Sequence, residues 1–275
     1  MRLRLHGSWH ALQATIGCLI AVMTCVELVA CAPGDLVRSA GADLVTDSDE
    51  PLARKRARIR LELALGYFEN GQTTIALDEL KQAIAADPGF GDAYDLRGLV
   101  YMRLGDRLLA EESFRRALAI NPMDARALHN YGWLICQQGR HAQALDFFGR
   151  ALADPMYPDR SKTFLTQGLC QLDGGRGADA QASFQRSYEL DPANPITGYN
   201  LALLLFQRGE AIAAQFYLRR LNNSELANAQ SVWLGIKVER RLDNRQAVEQ
   251  LGNQLRKRFA QSRERASFDR GAFDE

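Results

Sequence analysis

Small, aromatic and alanine residues recur along the chain at fixed places with a period near 34 residues. In the clearest unit these places are Tyr94, Gly98, Tyr101, Gly105, Ala110, Phe114, Ala117 and Pro122. Similar residues occupy the equivalent places one period earlier and later, and a short insertion at 155–158 shifts the register of the fourth unit. Two further units, the last one degenerate, continue the pattern to about residue 260. Each unit has room for two helices and a turn, so the pattern predicts six helical hairpins.

Each recurring position has a physical role in such a hairpin. Gly98 and Ala110 are expected where the two helices cross, because a larger side chain would push the helices apart. Gly105 is expected to end the first helix in the left-handed conformation that glycine adopts readily. Pro122 ends the second helix. Phe114 and its equivalents are expected to fill the seams between successive helices.

Units of this length and pattern resemble the tetratricopeptide repeat. The resemblance implies an all-α fold, a right-handed superhelix (α-solenoid) of about six helix–turn–helix repeats. No single repeat buries its apolar face alone, so the repeats must stack. We expect the array to occupy residues 53–260 and to be followed by a C-terminal tail at 261–275.

The first thirty residues have the layout of a secretory signal. Two arginines precede an apolar stretch at 14–23, which is too short to span a bilayer comfortably. Residues 28–31 (Leu-Val-Ala-Cys) resemble the lipobox of bacterial lipoproteins, in which the cysteine is acylated and begins the mature protein. We therefore expect a signal peptide at 1–30 and acylation, with palmitate among the chains, at Cys31. Because Ala32 and not aspartate follows, the resemblance implies the outer membrane; a plain secretory signal is the alternative.

Residues 31–52 are expected to form a flexible tether, since they contain an acidic run at 47–50 and no sustained helical period. A basic run, Arg-Lys-Arg-Ala-Arg-Ile-Arg, follows at 54–60. We interpret this run as a solvated helix face that offsets the acidic tether. Contact with anionic membrane headgroups is the alternative.

The charge and the cysteine content of the chain narrow the classes of protein to which it can belong. The chain has 34 basic and 33 acidic residues, a net charge of +1, which argues against nucleic-acid binding. Five cysteines in 275 residues are too few for a disulfide scaffold. Cys136 and Cys170 fall in apolar helical settings, and we predict that both are buried free thiols without a bridge.

No catalytic or cofactor motif is present in the sequence. The phosphate-loop, HExxH, CxxC and GxSxG patterns are all missing. His129 and His141 have no companion residues at metal-ligand spacing and are expected on the surface or in a seam. The sequence therefore predicts a protein that is not an enzyme and that has no metal site, no cofactor and no small-molecule substrate.

By the same resemblance, the first helices of a tetratricopeptide array line its concave face, and a few fixed positions contact ligands. Those positions here include apolar residues, from which we predict a partner-binding groove formed by Leu61, Leu65, Phe68, Leu99, Met102 and Trp133. An exposed apolar groove indicates a protein partner. The alternative is that neighbouring repeats cover these side chains. Leu61 and Leu65 also replace the polar residues of the chaperone-type carboxylate clamp, which disfavours a chaperone tail as the ligand.

From Cys31 onward the chain resembles the type IV pilus biogenesis lipoproteins called PilF or PilW. The resemblance rests on the lipobox, the six repeats, the stretches 128–133 and 154–161 at the irregular third junction, and the stretch 231–237. It implies a periplasm-facing adaptor (pilotin) on the outer membrane that binds the pilus secretin and promotes its localisation and multimerisation. Pilus assembly and twitching motility would depend on it. An envelope lipoprotein scaffold that positions peptidoglycan-remodelling enzymes is the alternative.

Overall fold

The computed structural model describes residues 49–273. Thirteen helices and no strand occur in this range, so the all-α prediction is confirmed. The predicted signal, the lipobox with Cys31 and most of the tether lie outside the described residues. The helices are α1 (Leu52–Glu69), α2 (Thr73–Ala86), α3 (Gly91–Leu104), α4 (Arg107–Ile120), α5 (Ala125–Gln137), α6 (His141–Leu152), α7 (Arg160–Asp173), α8 (Gly177–Leu190), α9 (Pro195–Gln207), α10 (Ala211–Asn222), α11 (Ala229–Arg241), α12 (Arg245–Arg258) and α13 (Arg263–Arg270).

Helices α1 to α12 form six consecutive hairpins. Within each hairpin the first helix packs on the second, and each second helix packs on the first helix of the next hairpin. First helices of neighbouring hairpins also touch, as α3 does with α5 and α5 with α7. The stacked hairpins predicted from the sequence period are therefore confirmed.

Phenylalanine rings from the second helices lie against glycines of the first helices. A Cβ added to Gly98 would lie 2.5 Å from the ring of Phe114, which is fully buried. Gly132 meets Phe148 and Gly168 meets Phe184 in the same way. The glycines therefore let the two helices of a hairpin approach closely, and the phenylalanine rings fill the space between the helices, as the sequence predicted.

The turns inside the hairpins are closed by backbone geometry and caps. Gly105 ends α3 with φ of 80°, a left-handed value that other residues adopt at a cost. Asp106 then caps α4 by accepting a hydrogen bond from the backbone N–H of Leu109. Equivalent glycines at the other hairpin turns also have positive φ, except in the last hairpin, where Asp243 takes this conformation.

The prediction of free thiols at Cys136 and Cys170 is wrong. Both residues are buried as expected, but their sulfur atoms form a disulfide with Cα atoms 5.9 Å apart. The bond joins α5 to α7 across the junction that contains the insertion. Residues about one period apart meet where neighbouring first helices lie side by side, and apolar patterning alone does not reveal which of them touch.

The C-terminal tail, to which the sequence assigned no role, packs on the last hairpin. Its helix α13 contacts α11 and α12. The ring of Phe268 rests on Gly252, where an added Cβ would lie 2.1 Å from it. Phe273 stacks on Trp233 with ring centroids 5.5 Å apart. The tail therefore covers apolar surface at the C-terminal end of the array.

Candidate functional site

The predicted groove begins on α1. Leu65 is 44% exposed, whereas Leu61 and Phe68 are half-buried against the core of the first two hairpins. The guanidinium of Arg103, on α3, lies 3.8 Å from the centre of the Phe68 ring and donates a hydrogen bond to the Phe68 carbonyl. This part of the groove is therefore a fixed apolar surface with a cationic edge.

The remaining groove residues lie on α3 and α5. Leu99 contacts the cores of both the first and the middle hairpins. Met102 and Trp133 are half-buried against the middle core. Packing against other helices thus covers part of five of the six predicted side chains, and only Leu65 is exposed. Partner binding at this groove stays a prediction.

A buried polar pair that the sequence analysis missed links α3 to α5. The Nδ2 of Asn130 donates to both carboxylate oxygens of Asp95 at 3.0 Å. Burial raises the pKa of Asp95 to about 7, although Asn130 and Arg126 favour the ionised form. Arg126 also pairs with Asp92 at 3.1 Å. The signal was present in the sequence as polar residues one period apart on first helices.

His129 occupies the seam between α5 and α7. Its Nδ1 lies 2.9 Å from the hydroxyl of Thr163, and burial, with a smaller effect of Lys162, lowers its pKa to about 4. His141 pairs instead with Asp173 at 2.7 Å near the surface. Both placements agree with the predicted seam or surface positions. Within residues 49–273, no cluster of His, Cys, Asp and Glu side chains is arranged to hold a metal ion.

Comparisons with known proteins decide the family. The tetratricopeptide repeat model matches residues 61–106 and 96–161. PilF of Pseudomonas aeruginosa, a type IV pilus assembly protein, is 31% identical over 230 residues, which cover 82% of this chain and 91% of PilF. The chain belongs to the PilF/PilW family. A solved structure of P. aeruginosa PilF matches with a TM-score of 0.72 at 30% identity, covering 80% of this chain and 99% of that one. The crystal structure of PilW, a type IV pilus biogenesis factor, matches at 0.68 and 31% identity, covering 77% and 97%.

Membership of the PilF/PilW family makes this chain a type IV pilus biogenesis protein of the tetratricopeptide class. It also confirms the predicted α-solenoid, because the related solved structures are tetratricopeptide solenoids. More distant proteins such as YrrB, at 15% identity and a TM-score of 0.56, share only the fold. None of the helices between residues 49 and 273 combines the length and the apolar character needed to cross a membrane.

Proposed function

We propose that this protein is a pilotin, an outer-membrane lipoprotein adaptor that binds the type IV pilus secretin and promotes its localisation and multimerisation. The observation that carries the proposal is the 31% identity to PilF across 91% of that protein. The lipobox-like residues 28–31 support attachment through acylated Cys31, with the array facing the periplasm. The protein acts by holding its partner and needs no cofactor.

The groove gives this adaptor a surface of suitable chemistry. Leu65 projects apolar area beside the half-buried Leu61 and Phe68, and a cationic rim is supplied by Arg103. An amphipathic helix or an extended segment can cover such a strip. Burying the exposed part of a leucine contributes on the order of 1 kcal/mol, so several such contacts are needed for useful affinity.

Deleting the gene tests the proposal directly. Secretin multimers are expected to disappear from the outer membrane while secretin monomer remains, and pili and twitching motility should be lost. Unchanged multimers would contradict the proposal. Normal pili, together with co-purification of a transglycosylase or a peptidase, would instead support the peptidoglycan scaffold.

Substitution in the groove tests the docking surface. Leu65→Asp is expected to reduce secretin co-purification roughly tenfold, since it places a charge where apolar area should be buried. Its helical content should persist because the side chain is 44% exposed. Leu108→Asp is the matched control, since Leu108 is 83% exposed and lies on α4, outside the groove. Equal losses in both variants would rule out the groove as the docking surface.

The lipid anchor has its own test. Cys31→Ser is expected to release the mature protein into the soluble periplasmic fraction, because the thiol that carries the acyl chains is gone. Continued fractionation with the outer membrane after a high-salt wash, which removes electrostatic contacts but not an acyl anchor, would contradict acylation at this residue.

A further inference from the structure

Within the described residues, the two ends of the array differ in whether a further helix packs on the terminal hairpin. At the C-terminal end α13 packs over the last hairpin, but no helix within the described residues precedes α1. In each later first helix, the face that meets the preceding hairpin is buried. One position of that face is a small residue with no exposed area in all five: Ala93, Ala127, Thr163, Thr197 and Ser231.

The equivalent position in α1 is Ile59, which is 54% exposed. Leu52, seven residues before Ile59, and Leu63, four residues after it, lie on the same face of α1. Leu52 is 70% exposed and Leu63 is 44% exposed. Inner hairpins admit only small residues at the Ile59 position because a neighbouring helix packs closely there. The bulk of Ile59 therefore argues against a further helix stacked in that way.

The basic run of α1 divides into paired and unpaired side chains. Arg54 pairs with Asp87, Arg58 with Glu50, and Arg60 with Glu79, as a solvated, charge-balanced helix requires. Lys55 and Arg56 make no ion pair with any residue of the described range 49–273. Helical spacing places these two cations between Leu52 and Ile59 on the exposed face. We call Leu52, Lys55, Arg56, Ile59 and Leu63 the α1 stripe.

We infer that the α1 stripe rests on a lipid surface that carries anionic headgroups. Apolar side chains interleaved with cations are the composition of a helix that lies in a membrane interface. The stripe follows Cys31 closely, because Leu52 is only 21 residues further along the chain. A chain of 21 residues spans at most about 75 Å even when fully extended, so an acyl anchor would hold the stripe at a high effective concentration near the bilayer.

This inference rests on the lipid anchor of the proposed function. A second copy of the chain is a poorer occupant, since three partly exposed apolar side chains fall far short of the roughly 800 Å² per partner that stable interfaces bury. The face also lies opposite the predicted groove, because Leu61 and Leu65 project from the other side of α1. A membrane and a protein partner can therefore occupy α1 together.

Vesicle co-sedimentation of the mature-length chain carrying Cys31→Ser tests the stripe without the acyl group. We expect measurable binding to vesicles of phosphatidylcholine with phosphatidylglycerol, which raised salt weakens, and little binding to phosphatidylcholine alone. Lys55→Gln with Arg56→Gln should weaken binding roughly 30-fold, since each cation near such a surface contributes about fivefold. Ile59→Asp with Leu63→Asp should abolish it. Far-ultraviolet circular dichroism should be unchanged in both variants, because the side chains lie at the surface.

Arg107→Gln with Leu108→Asp is the matched control, since it removes a cation and an exposed leucine from α4. This control should bind the vesicles as the unmodified chain does. Equal weakening by the control and the stripe variants would overturn the inference, as would binding that does not depend on phosphatidylglycerol. Stripe variants that bind vesicles normally but lose self-association or secretin co-purification would also overturn it. Unchanged secretin multimers in the deletion strain, with vesicle binding of the purified chain intact, would refute the proposed function alone.

Discussion

Asp95 and His129 respond to pH in opposite directions, so replacing either one should expose the pH dependence that the other contributes. The pKa of Asp95 rises from 3.8 to about 7 on folding, so its contribution to stability grows as the pH falls from 7 toward 4. The pKa of His129 falls from 6.5 to about 4, so its contribution is lost over nearly the same window. At about 1.4 kcal/mol per pH unit, each change amounts to about 3 kcal/mol, and the two nearly cancel.

The perturbation is Asp95→Asn, whose amide resembles the protonated carboxyl in shape and removes its titration. Between pH 7 and pH 4, we expect the free energy of unfolding of this variant to fall by about 3 kcal/mol more than that of the unmodified chain, because His129 is then uncompensated. The free energy of unfolding of His129→Gln should rise by a similar amount relative to the unmodified chain over the same window.

Urea titrations followed by circular dichroism at several pH values measure these slopes. The double variant is the control, since its slope should match that of the unmodified chain. A difference in the free energy of unfolding that is the same at every pH reflects packing and leaves the slopes unchanged. An Asp95→Asn slope equal to that of the unmodified chain would refute the reasoning, because it would mean that burial does not shift the pKa values as the contacts imply.

Three further variants probe packing and the disulfide. Gly98→Ala should lower the free energy of unfolding by about 2 kcal/mol because the new Cβ would lie 2.5 Å from the ring of Phe114, whereas Gly66→Ala, with no atom within 4 Å of its Cβ, should raise it by about 0.7 kcal/mol. Urea titration measures the free energy of unfolding of both variants. A Gly98→Ala variant that is more stable than the Gly66→Ala variant would contradict the close contact between Gly98 and Phe114. Replacing both Cys136 and Cys170 by Ser should lower the free energy of unfolding by about 4 kcal/mol, because the disulfide closes a loop of 34 residues. Adding a reductant should destabilise the unmodified chain equally and leave the double variant unchanged; insensitivity of the unmodified chain would argue against the disulfide.

The architecture was largely predictable from the sequence. Residues similar to Gly98 and Phe114 recur because the two helices of each hairpin cross at close range. Residues equivalent to Gly105 recur because each first helix ends in a left-handed conformation. These are local requirements that repeat along the chain, so their period is readable without coordinates. The groove positions followed from the same register, although their exposure did not.

The disulfide, the role of the tail, the Asp95–Asn130 pair and the open face of α1 depended on the tertiary structure. Each arises from which side chains of separate helices meet, and that is set by the register and stacking of hairpins. Cys136 and Asn130 lie on the same helix, yet one reaches α7 and the other reaches α3. The sequence determined which helices form and where they end, because those choices are made within a few residues. Burial, and with it the pKa values and the surfaces left uncovered, was decided only when neighbouring helices packed together.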